Sequence, residues 1–403
     1  MRRVVISGAG VTSPVGLTVD AFWRAIVDGR SGIADMRLVP TARLNVKHAA
    51  EVVDFVAQAH FDARRMQLLD RVSQLAVASA RQALADADFE LTEELARETP
   101  VIVGSAVAGQ QTIEDTYVRL YGMNRERVHP TVVPRVLHSA PASQVSIDAG
   151  LMGPTYSIAS ACASSTHAIG LAFQMIRAGT APIAVAGGAE SCLTVATIKA
   201  WESLRALSHD TCRPFSRDRS GIVLGEGSAM LVLEDREHAL ARGARPYAEI
   251  VGFGMSSDAG EMLAPNTEGA VIAMQRALRD ARLDAESIDY LNAHGAATRI
   301  SDISETRAIH RVFGARAAGL QISSSKAVLG HSLGASGALE TLVAALALRD
   351  DIAPPTAHYR ESDPECDLDY VPNVARAARL RYAMKNSFAF GGLNAVLVLG
   401  KPL

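Results

Sequence analysis

Gly225-Glu-Gly-Ser-Ala-Met-Leu-Val-Leu233 returns 166 residues later as Gly391-Gly-Leu-Asn-Ala-Val-Leu-Val-Leu399, identical at five of nine positions. Two shorter stretches repeat in the same order. Ile158-Ala-Ser-Ala-Cys-Ala163 aligns with Ile322-Ser-Ser-Ser-Lys-Ala327, and Val5-Ile-Ser-Gly-Ala-Gly10 with Ile250-Val-Gly-Phe-Gly254. One such match is within chance; three in a common order point to a duplicated α/β unit. The first half carries extra residues, from roughly 40 to 130, that the second lacks. Around these repeats, short apolar runs alternate with alanine-rich stretches. Val4–Ser7, Val101–Gly104, Ile183–Ala186 and Ala229–Leu233 read as strands, Asp20–Asp28 and Arg71–Ala87 as helices. That alternation predicts layered α/β architecture with sheets covered on both faces.

Composition narrows the function classes. Of 403 residues, 48% are hydrophobic and 21% charged, which excludes a disordered chain. A net charge of −3 gives no bulk attraction to nucleic acid or anionic membrane. The nearest thing to a membrane segment, Leu342–Leu348, is far too short to span a bilayer. The glycines and Pro14 of the N-terminal stretch suit a strand and turn better than a signal peptide. Cys162, Cys192, Cys212 and Cys366 are scattered, with no Cys-x-x-Cys pair. A disulfide framework or zinc site is not expected, and a reducing cytoplasm is the expected location.

Three segments carry chemistry. Gly8-x-Gly10 is not one of them: the dinucleotide fingerprint's third glycine is replaced by Ser13, so a tight turn is the better reading. No phosphate-binding P-loop pattern exists. Cys162 sits in Ser157-Ile-Ala-Ser-Ala-Cys-Ala-Ser-Ser-Thr-His-Ala-Ile-Gly170, where an apolar strand leads through small residues into a helix. The positive end of the helix dipole would favour its thiolate; a buried, inert cysteine is the other reading. His294, in Tyr290-Leu-Asn-Ala-His-Gly-Ala-Ala-Thr298, and His331, in Lys326-Ala-Val-Leu-Gly-His-Ser-Leu-Gly334, each follow an apolar strand at a glycine turn. α/β enzymes place their chemistry at such turns. Cys162, His294 and His331 lack the short spacings of a zinc motif, so no metal is expected.

The chain resembles a β-ketoacyl-[acyl carrier protein] synthase of the elongating type, in the thiolase-like superfamily. The likeness runs nearly end to end, through Ala-Cys-Ala-Ser, Asn-Ala-His-Gly, Lys-x-x-x-Gly-His and Ser-Phe-x-Phe-Gly-Gly-x-Asn in order, with Ala186-Gly-Gly-Ala-Glu190 between. It implies a five-layered α-β-α-β-α fold of two halves. Residues 1–240 would hold the nucleophile with an inserted cap and dimer region, and 241–403 the histidine pair. By resemblance Cys162 accepts the acyl group, and His294 and His331 stabilise the enolate formed when malonyl-carrier loses carbon dioxide. Lys326 matches the lysine near the second histidine, and Glu305 the acidic residue associated with it. Phe390 matches the gating phenylalanine, whose backbone N–H joins that of Cys162 in an oxyanion hole. The chain would then grow by two carbons without a cofactor, its substrates carried on the phosphopantetheine of the carrier. A thiolase would add a second catalytic cysteine near its C-terminus, and an initiating synthase would have asparagine where His331 stands. A chain-length factor, the non-catalytic alternative, would lack Cys162.

The family usually reads His-Gly-Thr-Ser-Thr where this chain has His294-Gly-Ala-Ala-Thr298, leaving only Thr298 of two threonines that bind pantetheine. One lost hydrogen bond costs about 0.5–1.5 kcal/mol. The gate reads Phe388-Ala-Phe-Gly-Gly-Leu393, with Ala389 and Leu393 replacing glycine and threonine, and alanine there is expected to stiffen its motion. Arg125, Arg127 and Arg205, with Arg64 and Arg65 as weaker candidates, fall where the family docks its acidic carrier. A homodimer is expected, or a heterodimer with a chain-length-factor-like subunit. Val107 and Trp201 fall along the acyl pocket and would narrow it or offer a flat surface to a planar chain; packing in the dimer core is the other reading for Trp201. With the altered arm and gate, they point to a polyketide or polyene pathway instead of bulk fatty-acid synthesis.

Overall fold

Val4–Thr12 (β1), Val101–Gly104 (β2), Thr155–Ile158 (β3), Ile183–Glu190 (β4) and Gly227–Asp235 (β5) form one half of the main sheet. Ala248–Ser257 (β6), Tyr290–Asn292 (β7), Gln321–Ser323 (β8), Tyr382–Ala389 (β9) and Leu393–Gly400 (β10) form the other. The computed structural model describes residues 1–402. Across the sheet the order is β8-β7-β9-β10-β6-β1-β5-β4-β2-β3. From the central β6–β1 junction outward, each half therefore runs through its first, fifth, fourth, second and third strand. Directions repeat as well. β2 is parallel to β3 and β4, and β5 antiparallel to β4 and β1. β7 is parallel to β8 and β9, and β10 antiparallel to β9 and β6. The duplication legible in the sequence is thus a repeat of topology.

Six helices build the layers that matter for the site: Arg71–Ala87 (α1), Ser164–Ala178 (α2), Val195–Ser203 (α3), Thr267–Ala281 (α4), Arg299–Phe313 (α5) and Leu333–Asp350 (α6). α2 and α6 touch each other and strands of both halves, whereas α1 covers β1, β4 and β5, and α4 covers β6 and β10. The result is five layers, α-β-α-β-α. Sequence explains which helix goes where. α4 buries one face, through Ala270, Val271, Ala273, Met274, Ala277 and Leu278, as an outer helix should. α6 is buried all round from Leu333 to Leu348, as a helix packed between the two halves of the sheet must be. The apolar run Leu342–Leu348 belongs to this central helix. Among the described residues no helix is long and apolar enough to cross a membrane.

Gly8 and Gly10 correct the sequence reading: they lie inside β1 and not in a turn. A Cβ on Gly8 would come within 2.4 Å of the Ala83 carbonyl oxygen, and one on Gly10 within 2.0 Å of that of Ser79. Their role is to let α1 lie directly on the sheet. The second half also carries an excursion of its own, between α6 and β9, where Ile352–Ala353 pairs with Arg376–Ala377.

Candidate active site

The β3 strand leaves the sheet and turns into α2 through one tight helical turn, Ala161–Ala163. Ala161 has φ +46°, a left-handed conformation that costs an alanine energy and persists because the packing around it dictates it. This elbow places Cys162 just ahead of the N-terminus of α2. Its side chain is nearly buried. Burial pushes the thiol up to about 12, with the Lys326 ammonium pulling the other way and Glu340 and Glu190 adding to the rise. Of the two sequence readings, burial favours the protonated one: desolvation outweighs the Lys326 charge, and at neutral pH Cys162 rests as a thiol.

His294 follows β7 on a loop pinned from behind. The Glu305 carboxylate, on α5, accepts from the amides of His294 (2.9 Å) and Gly295 (2.8 Å) and from the Asn386 side chain (3.0 Å). The Lys326 ammonium donates to the His294 carbonyl at 2.6 Å, lies 3.5 Å from its Nδ1, and is ion-paired with Glu340. One part of the sequence reading changes here. Lys326 bonds to the first histidine while its charge also acts on the second, and its carboxylate is Glu340. Glu305 instead shapes the His294 loop, because its oxygens are taken by backbone amides.

His331 stands just before α6. Its Nδ1 accepts from the Leu333 amide at 3.1 Å and lies 3.1 Å from Ser336 Oγ. An amide can only donate, so Nδ1 carries no proton and Nε2 does. The ammonium beside His294 Nδ1 imposes the same tautomer there. Burial first, then the Lys326 charge, holds both imidazoles well below the usual histidine range, so both are neutral at pH 7. Their rings lie edge to face, 5.6 Å between centroids at 78°. Two neutral Nε2–H donors stand side by side.

Cys162, His294 and His331 line one cavity of about 420 Å³ together with Phe388, Phe390, Trp201, Ala296, Thr298, Glu305 and Arg205. A second cavity, about 470 Å³, is lined by Val107, Gln110, Ala161, Cys162, Ala200, Trp201, Leu333 and Phe390. Trp201, on α3, stacks on Phe390 with centroids 5.7 Å apart at 21°, and both rings face both cavities. Thr298 caps α5, its oxygen accepting from Ser301, which leaves the hydroxyl proton for a ligand. Of the two altered residues before it, Ala296 lines the main cavity, while Ala297 packs with Cys212 and Val223. Ala389 is extended and pairs with Leu393; the left-handed turn positions are Gly391 (+81°) and Gly392 (+69°). The alanine thus takes no forbidden conformation. Arg205 is exposed at the cavity rim, and Arg125 and Arg127 are exposed in the segment after Gly122. Arg64 is exposed, whereas Arg65 is engaged with Gln144 and Asp148.

Residues 1–239 match the family model for the β-ketoacyl synthase N-terminal domain, and residues 247–360 that for its C-terminal domain. The chain belongs to the β-ketoacyl synthase family. It is an acyltransferase that forms carbon–carbon bonds. It is 43% identical to nodulation protein E of Rhizobium sp. (strain N33) over 396 residues, 98% of each chain. It is 40% identical to 3-oxoacyl-[acyl-carrier-protein] synthase 2 of Staphylococcus aureus (strain COL), covering 99% of this chain and 98% of the relative. Among solved structures, the ishigamide ketosynthase/chain length factor superposes over the full length of both chains with a TM-score of 0.95 at 36% identity.

Sequence reasoning missed the buried charges behind this synthase site. Glu340 and Lys385 are fully buried, and Lys385 reaches the second Glu340 oxygen at 3.1 Å. Arg219, which lines the cavity, is buried against Asp302 and Asp363. One signal was available: Glu340 is the only charged residue in α6 before Arg349. A lone carboxylate in an otherwise apolar helix demands a buried cation.

Proposed function

We propose that Cys162, His294 and His331 carry a decarboxylative condensation of malonyl-[acyl carrier protein] with an acyl chain held on the cysteine. The observation that supports this most is the pair of neutral Nε2–H imidazoles beside a buried thiol in one cavity. In the first step the Cys162 sulfur attacks the acyl-carrier thioester. The new C–S bond forms as the old one breaks, and the thiol proton ends on the released carrier. Malonyl-carrier then loses carbon dioxide, and the electron pair of the broken C–C bond becomes an enolate. The Nε2–H groups of His294 and His331 donate to its oxygen, pre-aimed in a site without water competition. Finally the carbanion attacks the Cys162 thioester, whose carbonyl oxygen takes hydrogen bonds from the Cys162 and Phe390 amides. The thiolate leaves and takes a proton from solvent, and the product is two carbons longer.

On this reading the half spanning 1–240 supplies the nucleophile and 241–403 the histidine pair. No cofactor is needed beyond the carrier's phosphopantetheine, whose arm meets Thr298. Arg125, Arg127 and Arg205 steer the acidic carrier to the cavity mouth in the cytoplasm. A second copy, or a chain-length-factor-like partner, covers the outer edge strand β3, beside which Ile147 and Met152 are exposed. Val107 and Trp201 bound the acyl cavity and favour short, unsaturated or aryl chains, as in a polyketide or polyene pathway.

Carbon dioxide release from malonyl-carrier tests the core of this reading. His294→Ala and His331→Ala should each lose the release while Cys162 still accepts an acyl group. A wild-type protein that releases none would return the chain to a non-catalytic partner role.

A further inference from the structure

Lys385 lies on β9, the strand that ends in the Phe388–Phe390 gate, and has no solvent exposure. Side chains alternate along that strand. Asn386 points to Glu305 on one face, while Lys385 and Ser387 point into the central helix layer on the other. There the Lys385 ammonium donates to two hydroxyls and is ion-paired with a carboxylate. These are Thr166 Oγ1 on α2 at 2.7 Å, Ser387 Oγ, and Glu340 Oε2 on α6 at 3.1 Å. Thr166 and Ser387 are themselves 2.8 Å apart. Thr166 is four residues beyond Cys162, so this cluster ties the nucleophile helix to the gate strand.

The charges here are shared. Lys326 takes one oxygen of Glu340 and Lys385 the other, so two buried ammonium groups share one carboxylate. The next carboxylate, Glu305, has its oxygens occupied by the His294 and Gly295 amides and by Asn386. Those neutral donors leave the Glu305 charge in place, so two ammonium groups face two carboxylates, and both ammonium groups act on the pair that must stay neutral to donate hydrogen bonds. The remaining titratable neighbours are His294, His331 and, on α2, His167, with the Cys162 thiol and the Tyr290 phenol, both pushed up by burial.

We propose that Lys385 is a positioning residue for the condensation, joining the gate strand to the nucleophile helix and supplying a second positive charge that helps keep His294 and His331 unprotonated. The proposal rests on the reading of those histidines as the enolate-binding pair. Burial lowers Lys385 to about 8, so it is largely protonated at neutral pH. Its charge is also among the causes that depress both histidines.

The test is the acid limb of malonyl-carrier decarboxylation, measured on the intact protein in three variants. Lys385→Met removes one positive charge, so the histidines protonate more readily and the limb moves to higher pH, by about one unit. Glu340→Gln removes the shared negative charge and moves the limb to lower pH. Lys385→Met combined with Glu340→Gln restores the net charge, and the limb returns to the wild-type position. A residue that only packs would lower the rate at every pH and leave the limb where it is. A limb that does not follow net charge through this series overturns the proposal. If Lys385→Met does not fold, Lys385→Gln, uncharged but still able to bond Thr166 and Ser387, replaces it alone and combined with Glu340→Gln. His294→Ala and His331→Ala separate the two failures: if they keep decarboxylation, the reading of the pair is wrong. If they lose it and the charge series is flat, only the role of Lys385 is wrong.

Discussion

Glu305→Gln is the most informative single change, because it keeps the shape of the side chain and alters only what it can accept. The carboxylate takes the His294 amide and the Asn386 side chain on Oε1, and the Gly295 amide on Oε2. A glutamine amide has one oxygen. Placed at Oε1, it keeps two bonds and turns an NH₂ group toward the Gly295 amide, donor against donor across 2.8 Å. One buried amide loses its acceptor, at a cost of about 1–3 kcal/mol. That strain falls on the loop that aims His294, so decarboxylation should slow roughly 5- to 150-fold. Cys162 lies on a different loop, and its acylation should change less than about threefold. The assay pairs carbon dioxide release from malonyl-carrier at pH 7 with intact-mass measurement of the acyl adduct. Decarboxylation within twofold of wild type, or acylation falling in parallel with it, would show that Glu305 does not act through His294.

Four further outcomes are expected. Both histidines are held below the ordinary value near 6.5, so the neutral, donating forms persist as pH falls. Decarboxylation should therefore hold its rate from pH 7.5 to 6.0, and a half-loss near 6.5 would contradict the tautomer argument. Ala296→Thr restores a hydroxyl facing the cavity and should lower the KM for carrier substrates a few-fold to tenfold, whereas an unchanged KM means the pantetheine arm runs elsewhere. Charge reversal at Arg127 and Arg205 should weaken carrier affinity at low salt and much less at high salt; unchanged affinity at low salt removes the docking patch. Trp201→Ala unstacks Phe390 and enlarges the acyl cavity, so longer saturated chains should become better substrates. Equal turnover of a long saturated series by the wild-type protein would refute the narrow-pocket reading.

The duplication was legible because repeated strands must bury the same faces, so Leu231–Leu233 and Leu397–Leu399 kept the same side chains in both halves. Boundaries were legible where a cap or a break stands in the chain. Arg71–Ala87 begins after the capping carboxylate of Asp70 and stops at Asp88 in the left-handed region. Strand ends were less so: β1 runs five residues past Ser7, because glycines that read as a turn are there to admit a helix. Cys162, His294 and His331 stood out through their position after apolar strands. Their protonation could not be read from position, since it depends on burial and on charges that arrive from other elements. Glu340 is 178 residues from Cys162, and no local pattern links the two. The same holds for Lys326, whose partner lies on the following helix and not, as the resemblance implied, on α5.

The account stands most directly on what happens to the sulfur of Cys162. The protein would be incubated with an acyl-carrier, its intact mass and the modified peptide determined, and malonyl-carrier then added. A single acyl adduct should appear on Cys162, vanish on addition of malonyl-carrier, and give way to a 3-oxoacyl-carrier two carbons longer. An adduct on any other residue, or a Cys162 adduct that survives malonyl-carrier without chain extension, would contradict it.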